Sequence, residues 1–315
     1  MSCKKTSIGG QALIEGIMMR GPEKSVMAVR MKDGSIDVSE MTINTIKDKS
    51  VFFRLPIIRG VVNFVESMIV GYKAMMESAD KSGYLDEIEE DDKNKEKKNN
   101  GAIMNFIMIV ASVLAVVLSI GLFIYLPSLA FKGVNYLAGY ILSPYQAVFE
   151  GVLKILIFVG YMFAVSQMKD IKRVFSFHGA EHKTIFCYEA GLELTVENVR
   201  TQRRFHPRCG TSFMILMLIV SIAVTLLLDF VFPALKGVLW LRTIIKLLLV
   251  PVICGLGYEL IKVCGRHDNT FTKIVAAPGL WLQRLTVFEP DDSMIEVAIA
   301  AMLEVIPENK ESDNW

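Results

Sequence analysis

The sequence predicts an α-helical integral membrane protein of about four spans. It also predicts a small cytoplasmic α+β unit at the N-terminus and a cytoplasmic metal-binding loop. Three observations carry this reading. Over 315 residues, 52% are hydrophobic and the mean hydropathy is +0.42, which points to the bilayer rather than to soluble domains. Two long uncharged runs occur, Ala102 to Phe131 and Gly210 to Leu228, against the roughly 20 apolar residues that a helix needs to cross. Finally, three of the four histidines and one of the five cysteines fall between two apolar segments, at His178, His182, His206 and Cys209.

Residues 1–79 read as the N-terminal unit. Arg20-Gly21-Pro22-Glu23 and Lys32-Asp33-Gly34-Ser35 carry turn chemistry, and Val26 to Arg30 reads as a strand. From Ile57 to Ala79 the apolar positions follow helical spacing, with Arg59, Glu66, Lys73 and Glu77 interleaved. This helix is expected to lie on the membrane surface or against the β-unit. Residues 80–101 alternate acidic and basic tracts with no core-forming side chains, and read as a disordered linker.

Residues 102–168 hold the first two spans, the second running from about Val148 to Met168 and including Lys154. Residues 213–261 hold the third and fourth, the fourth from about Leu241 to Ile261 with Arg242, Lys246 and Glu259. Charges near helix ends reach the interface, so these spans stand. The charges at Glu150, Lys154, Asp229 and Lys246 read as pairs or interfacial anchors rather than a transport path. Between the second and third spans, residues 169–212 carry Lys169, Lys172, Arg173, Lys183, Arg200, Arg203, Arg204 and Arg208, whereas the intervening loops are nearly neutral. That bias places both termini and this loop in the cytoplasm. The first apolar stretch, interrupted by Glu15 and Arg20, does not resemble a cleavable signal peptide. A disulfide framework is not expected on the reducing side. Net charge of +1 names no polyanionic partner, and no specific DNA binding is expected. Arg200, Arg203 and Arg204 read as a basic cluster for anionic lipid headgroups. Residues 262–315 return to the cytoplasm, with Trp281 suited to the headgroup zone and Asp291 or Asp292 capping a helix over Ser293 to Val305.

Histidine and thiolate are preferred zinc ligands, and four complete a tetrahedral site. On a helix His178 and His182 are four residues apart and about 40° apart in azimuth, so one ion contacts both. Glu181 completes an H-x-x-E-H order, the inverted form of the zinc-protease helix in which glutamate is the general base. Pro207 biases His206 toward an extended conformation and Gly210 allows a tight turn after Cys209. The predicted set is therefore zinc on His178, His182 and Cys209, with His206 as fourth ligand and Glu181 as catalytic base. If all four bind, the site is closed and structural. If one stays away, it is open to water. Glu15 and Arg20 read first as contacts between the N-terminal unit and the cytoplasmic loop, with a catalytic carboxylate as the alternative. His267 reads as a solvated histidine.

Several stretches resemble the DUF1385 family of bacterial membrane proteins, predicted metal-dependent enzymes. They are Gly9 to Pro22, Arg59 to Asn63, Phe177 to Thr184, His206 to Thr211 and Pro278 to Thr286. The resemblance implies a multipass protein of the bacterial cytoplasmic membrane. The genes neighbouring such proteins imply an association with membrane-protein biogenesis machinery. The reading is a zinc-binding multipass membrane protein acting as a metal-dependent hydrolase on a membrane-associated peptide or lipid. The alternative is a non-catalytic insertion or assembly factor with structural zinc, and a transporter ranks third.

Overall fold

The computed structural model describes residues 5–42, 50–84, 101–267, 269–309 and 313. The predicted linker lies mostly outside the described residues. Four short strands, β1 (Gly9–Leu13), β2 (Gly16–Arg20), β3 (Ser25–Arg30) and β4 (Ile36–Met41), form an antiparallel meander in chain order. Both turns expected from the sequence close hairpins: Gly21 N–H donates to the Lys24 carbonyl at 2.9 Å, and Met31 N–H to Ser35 at 2.8 Å. The first hairpin is tighter. Leu13 faces Gly16, so the turn is only Ile14-Glu15, and Glu15 takes a left-handed φ of 52°.

Helices follow: α1 (Ile58–Lys81), α2 (Gly101–Ile120), α3 (Leu126–Leu137), α4 (Gln146–Ser166), α5 (Lys169–Glu189), α6 (Val196–Arg200), α7 (Gly210–Val231), α8 (Leu239–Leu248), α9 (Val250–Arg266), α10 (Thr270–Thr286) and α11 (Asp292–Val305). Asp291 caps α11 by accepting from Met294 N–H at 3.0 Å, as expected. Alternating side chains of β2 and β3 go to opposite faces of the sheet. Ile17, Met19, Val26 and Ala28 pack with α5 and α11, while Met18, Met27 and Val29 pack toward Ala74 of α1. The sheet is thus buried between helices on both sides. The periodicity of α1 is satisfied by this packing and by contact with α9, rather than by a membrane surface alone. Met68, Ile69 and Tyr72 remain exposed on its other side.

Among the described residues, three helical stretches are long and apolar enough to cross a membrane: Ser112–Leu137, Ser143–Ser166 and Gly210–Val231. The first differs from the sequence expectation. Its helix, which begins at Gly101, continues through a π-helical turn at Gly121–Tyr125 to Leu137 and so carries Lys132 beyond the uncharged run. The fourth is a bent pair, Trp240–Leu248 and Val250–Arg266, meeting at 43°. Pro251 explains the break, because it lacks the N–H that would bond the Leu247 carbonyl and its ring crowds that turn.

The charges predicted to pair do so with other partners than helix spacing implied. Arg242, 1% exposed, donates to both carboxylate oxygens of Asp229, at 3.2 and 2.8 Å, and to Glu150 at 2.5 Å. Lys246 takes the other Glu150 oxygen at 2.6 Å, and Ser128 and Gln146 also donate to this carboxylate. Breaking a buried ion pair by removing one partner leaves an uncompensated charge and costs about 3–5 kcal/mol. Arg242→Met is therefore expected to lower the thermal midpoint of the detergent-solubilised protein sharply, and adding Asp229→Asn to recover part of the loss. Equal midpoints for the single and double variants would show that Asp229 does not depend on Arg242.

Candidate metal centre

Helix α5 follows α4 after a two-residue break, and Asp170 in its first turn suits the positive end of the helix dipole. Its buried face includes Phe177, Ala180, Thr184 and Cys187. His178 and His182 stand one turn apart with ring centroids 4.4 Å apart. Gly179, between them, passes against the Phe288 carbonyl where any Cβ would overlap it. Across from them Cys209 caps α7, its Sγ accepting from Thr211 N–H at 3.4 Å.

The nitrogen and sulfur ligand atoms of His178, His182 and Cys209 all lie within 4.8 Å of one another. Ligands at zinc bond lengths of 2.0–2.3 Å stand roughly 3.3–3.8 Å apart in a tetrahedron, so a small contraction closes the trio on one ion. The tautomers fit as well. His178 Nδ1 lies 2.9 Å from the Thr286 carbonyl, and His182 Nδ1 lies 2.5 Å from the Arg204 carbonyl. A carbonyl only accepts, so each Nδ1 carries a proton, which turns each Nε2 toward the centre, where a bound metal would replace any proton it holds. His178 Nε2 reaches Cys209 Sγ at 3.1 Å. Burial works against charge on both groups, yet each stabilises the other. The Cys209 thiol is held well below its usual value, chiefly by His178 and His182, and His178 is pushed up to about 9 by the thiolate. The N-terminus of α7 favours the same thiolate.

His206 stands beside the trio and outside it. Its ring centroid is 5.5 Å from that of His182 and 4.6 Å from Phe186. Its Nδ1 accepts from Arg208 N–H at 3.3 Å, which leaves Nε2 to face Glu189 at 3.8 Å. Burial lowers its basicity. Glu189 is itself buried. Burial opposes its charge, but His206 and the Arg208 ion pair keep its carboxyl below the usual range.

Glu181 is 5% exposed, and burial raises its carboxyl. The Gly10 N–H donates to it, while Oε2 has no hydrogen-bond partner among the described residues. Gly10 is required here: a Cβ would sit 3.0 Å from the Glu181 carboxyl carbon and 2.8 Å from the Met18 carbonyl. A cavity of about 110 Å³ remains, lined by Gly10, His178, Glu181, His182, His206 and Cys209 among others. Cys209 also lines a wider cavity of about 690 Å³ between α1, α7 and α9, where Phe64, Met68 and Phe213 are exposed to it.

The remaining sequence candidates serve as ties. Glu15 forms an ion pair with Arg173 of α5, which matches the contact expected between sheet and loop. Arg20 lines a separate cavity beside Ser7 and Pro22. Arg200 pairs with Asp292, Arg203 lies 4.3 Å over the Phe186 ring, and Arg204 pairs with Glu289 at 3.1 Å. His267 is exposed and away from the centre, its Nδ1 near the Val263 carbonyl. Sequence reading missed Gln283. It is fully buried, accepts from His206 N–H at 2.8 Å, and donates to the His206 carbonyl at 2.7 Å and to Ser212 Oγ at 3.0 Å. Its only signal was membership in the Pro278 to Thr286 stretch.

Residues 55–308 match the profile of a family described as a protein of unknown function, DUF1385. The chain is 35% identical over 299 residues to the uncharacterized protein YqhQ of Bacillus subtilis (strain 168), covering 95% of this chain and 92% of that protein. No solved structure matches.

Replacing Gln283 by Leu keeps much of the bulk but strips both buried polar groups of His206, at about 1–3 kcal/mol for each one left unpaired. The variant is expected to unfold at lower temperature and to expose Cys209 to faster alkylation. Unchanged alkylation would show that the loop does not rest on this residue.

Proposed function

The chain belongs to the DUF1385 family, and on that premise we propose that it is a multipass cytoplasmic-membrane protein with a catalytic zinc centre, a hydrolase of a membrane-associated peptide or lipid. One observation carries the reading. Two histidines whose Nδ1 groups are held by backbone carbonyls converge with one depressed thiol, while the fourth candidate, His206, engages Glu189 and leaves a cavity at the trio. Three protein ligands and an open position characterise catalytic zinc.

A zinc ion held by His178, His182 and Cys209 would supply a Lewis acid to polarise the bond under attack and would make water more acidic. Glu181 lines the same cavity with an unpartnered Oε2. It takes the proton from the attacking water and passes it to the leaving group. Gly10 orients its carboxylate by donating from the β1 backbone, and Thr286 and Arg204 hold the two imidazoles in place. The apolar cavity that shares Cys209 opens between helices, which suits a substrate presented from the bilayer. Both termini are assigned to the cytoplasm on the basic residues of 169–212.

A second reading has its own support. The His206 ring is only 5.5 Å from His182, and its rotation would close the set into a structural site, as in a non-catalytic insertion or assembly factor.

Metal analysis of purified protein is expected to give about one zinc per chain, and the His182→Ala, Cys209→Ser double variant to lose it. Zinc content unaffected by that double change refutes the assignment. Glu181→Gln is expected to keep zinc and to lower activity about a hundredfold or more, so that it fails to complement a deletion. Full complementation removes the hydrolase reading and leaves the structural one. Cysteines introduced in 133–144 are expected to label from outside and those in 176–212 only after permeabilisation; the reverse pattern overturns the orientation.

A further inference from the structure

The charged cluster among the spans does not balance. Two carboxylates, Glu150 and Asp229, face three cations, Arg242, Lys246 and Lys154. Glu150 and Lys154 sit one helical turn apart, yet the Glu150 carboxylate is taken by Arg242 and Lys246, with Ser128 and Gln146 as further donors. Asp229 is taken by Arg242. Among the described residues no hydrogen bond or ion pair engages Lys154, although it is only 9% exposed. A buried ammonium without a counter-charge is costly.

Lys154 lines an open groove of about 400 Å³ between α4, α7, the α8–α9 break and the π-helical turn after α2. Apart from the Lys154 and Lys246 end, where Thr225 also lies, the wall is mostly apolar, with Phe158, Met217, Leu218 and Ile253, interrupted by Ser221 and Tyr161. Its residues on α7 run from Met214 to Thr225, about 16 Å along a helix. The groove is thus a slot with a cation at one end and mostly hydrocarbon along its length. Its volume is near the lower bound of ligand sites, about 300 Å³, which suits one chain rather than two.

We propose that this slot binds a single-chain anionic amphiphile of the fatty-acid class, its carboxylate on Lys154 and its acyl chain along α7. The ligand supplies the missing negative charge and fills apolar space that a hydrated ion cannot. The excess positive charge argues against a path for metal cations. The charged end of this site lies away from the metal centre, toward the ends of α4 and α7 remote from His178 and Cys209, while its apolar end reaches Met214, which also lines the cavity at Cys209.

The test uses full-length protein in a neutral detergent and palmitate carrying a photoactivatable diazirine on its chain. Palmitate is expected to raise the thermal midpoint of the wild-type protein, and hexadecanol to do so far less. Lys154→Met keeps the stem and removes the charge. It is expected to bind palmitate about tenfold to a hundredfold more weakly, the worth of a charge-assisted hydrogen bond, whereas Lys154→Arg retains binding. Palmitate binding that is equal in Lys154→Met, or stabilisation by hexadecanol equal to that by palmitate, overturns the proposal. If Lys154→Met does not fold, photolabelling of the wild type decides. Adducts on the peptides of α4, α7 and α9 that line the slot support the proposal, and adducts confined to other surfaces refute it. Displacement of the probe by phosphatidylglycerol but not by unlabelled palmitate assigns the slot to a two-chain lipid and refutes it equally.

Discussion

A buried carboxamide, that of Gln283, joins the loop before α7 to the helix behind it by bonding both the N–H and the carbonyl of His206 and the hydroxyl of Ser212. Much of the candidate centre depends on that clasp. With His206 fixed, Pro207 and Arg208 follow a single path and Cys209 arrives at the N-terminus of α7, opposite the two histidines. The same helix α10 supplies the Thr286 carbonyl that sets the His178 tautomer. One helix therefore orients ligands from two others, and polar groups that would be costly if left bare in the interior are satisfied by one another.

The sheet closes the centre from the other side. Its β1 edge brings Gly10 against Glu181, and the left-handed Glu15 in the adjoining hairpin pairs with Arg173 on the same helix. Strand packing is thereby coupled to the orientation of α5, since Ile17 and Met19 share a core with Phe177 and Ala180. The remote half of the helical bundle is organised differently. There a guanidinium placed between two carboxylates holds α4, α7 and α8 together, and Lys154, without an ion-pair partner among the described residues, faces a groove. Backbone carbonyls and ion pairs together satisfy the polar groups at the metal-centre end, whereas at the other end this falls to buried ion pairs.

Much of this was legible before the fold was known, because it rests on periodicity and side-chain type. The i, i+4 spacing of His178 and His182 places them on one face of any helix. The uncharged runs give apolar helices, and Arg20-Gly21-Pro22 and Asp33-Gly34 give turns whatever surrounds them. Cys209 was legible as a ligand candidate from its chemistry and from the cluster it belongs to. Gln283 was not, since a glutamine in an amphipathic helix reads as an ordinary polar residue until a partner 77 positions away is known. Glu189 was hidden for the same reason among more than thirty acidic residues.

By itself the sequence determined which segments are apolar, two of the three turns of the sheet, and which residues have the chemistry to hold a metal, because these follow from local sterics, hydropathy and donor atoms. Only the tertiary structure decided which of them meet. It brought His178, His182 and Cys209 together and directed His206 to Glu189, and it gave Glu150 to Arg242 and Lys246 rather than to its helical neighbour Lys154. It also bent the fourth apolar segment at Leu249 and laid α1 against the sheet. Each outcome is a competition among distant partners for the same carboxylate, carbonyl or apolar face, and spacing along one chain carries no information about the rivals.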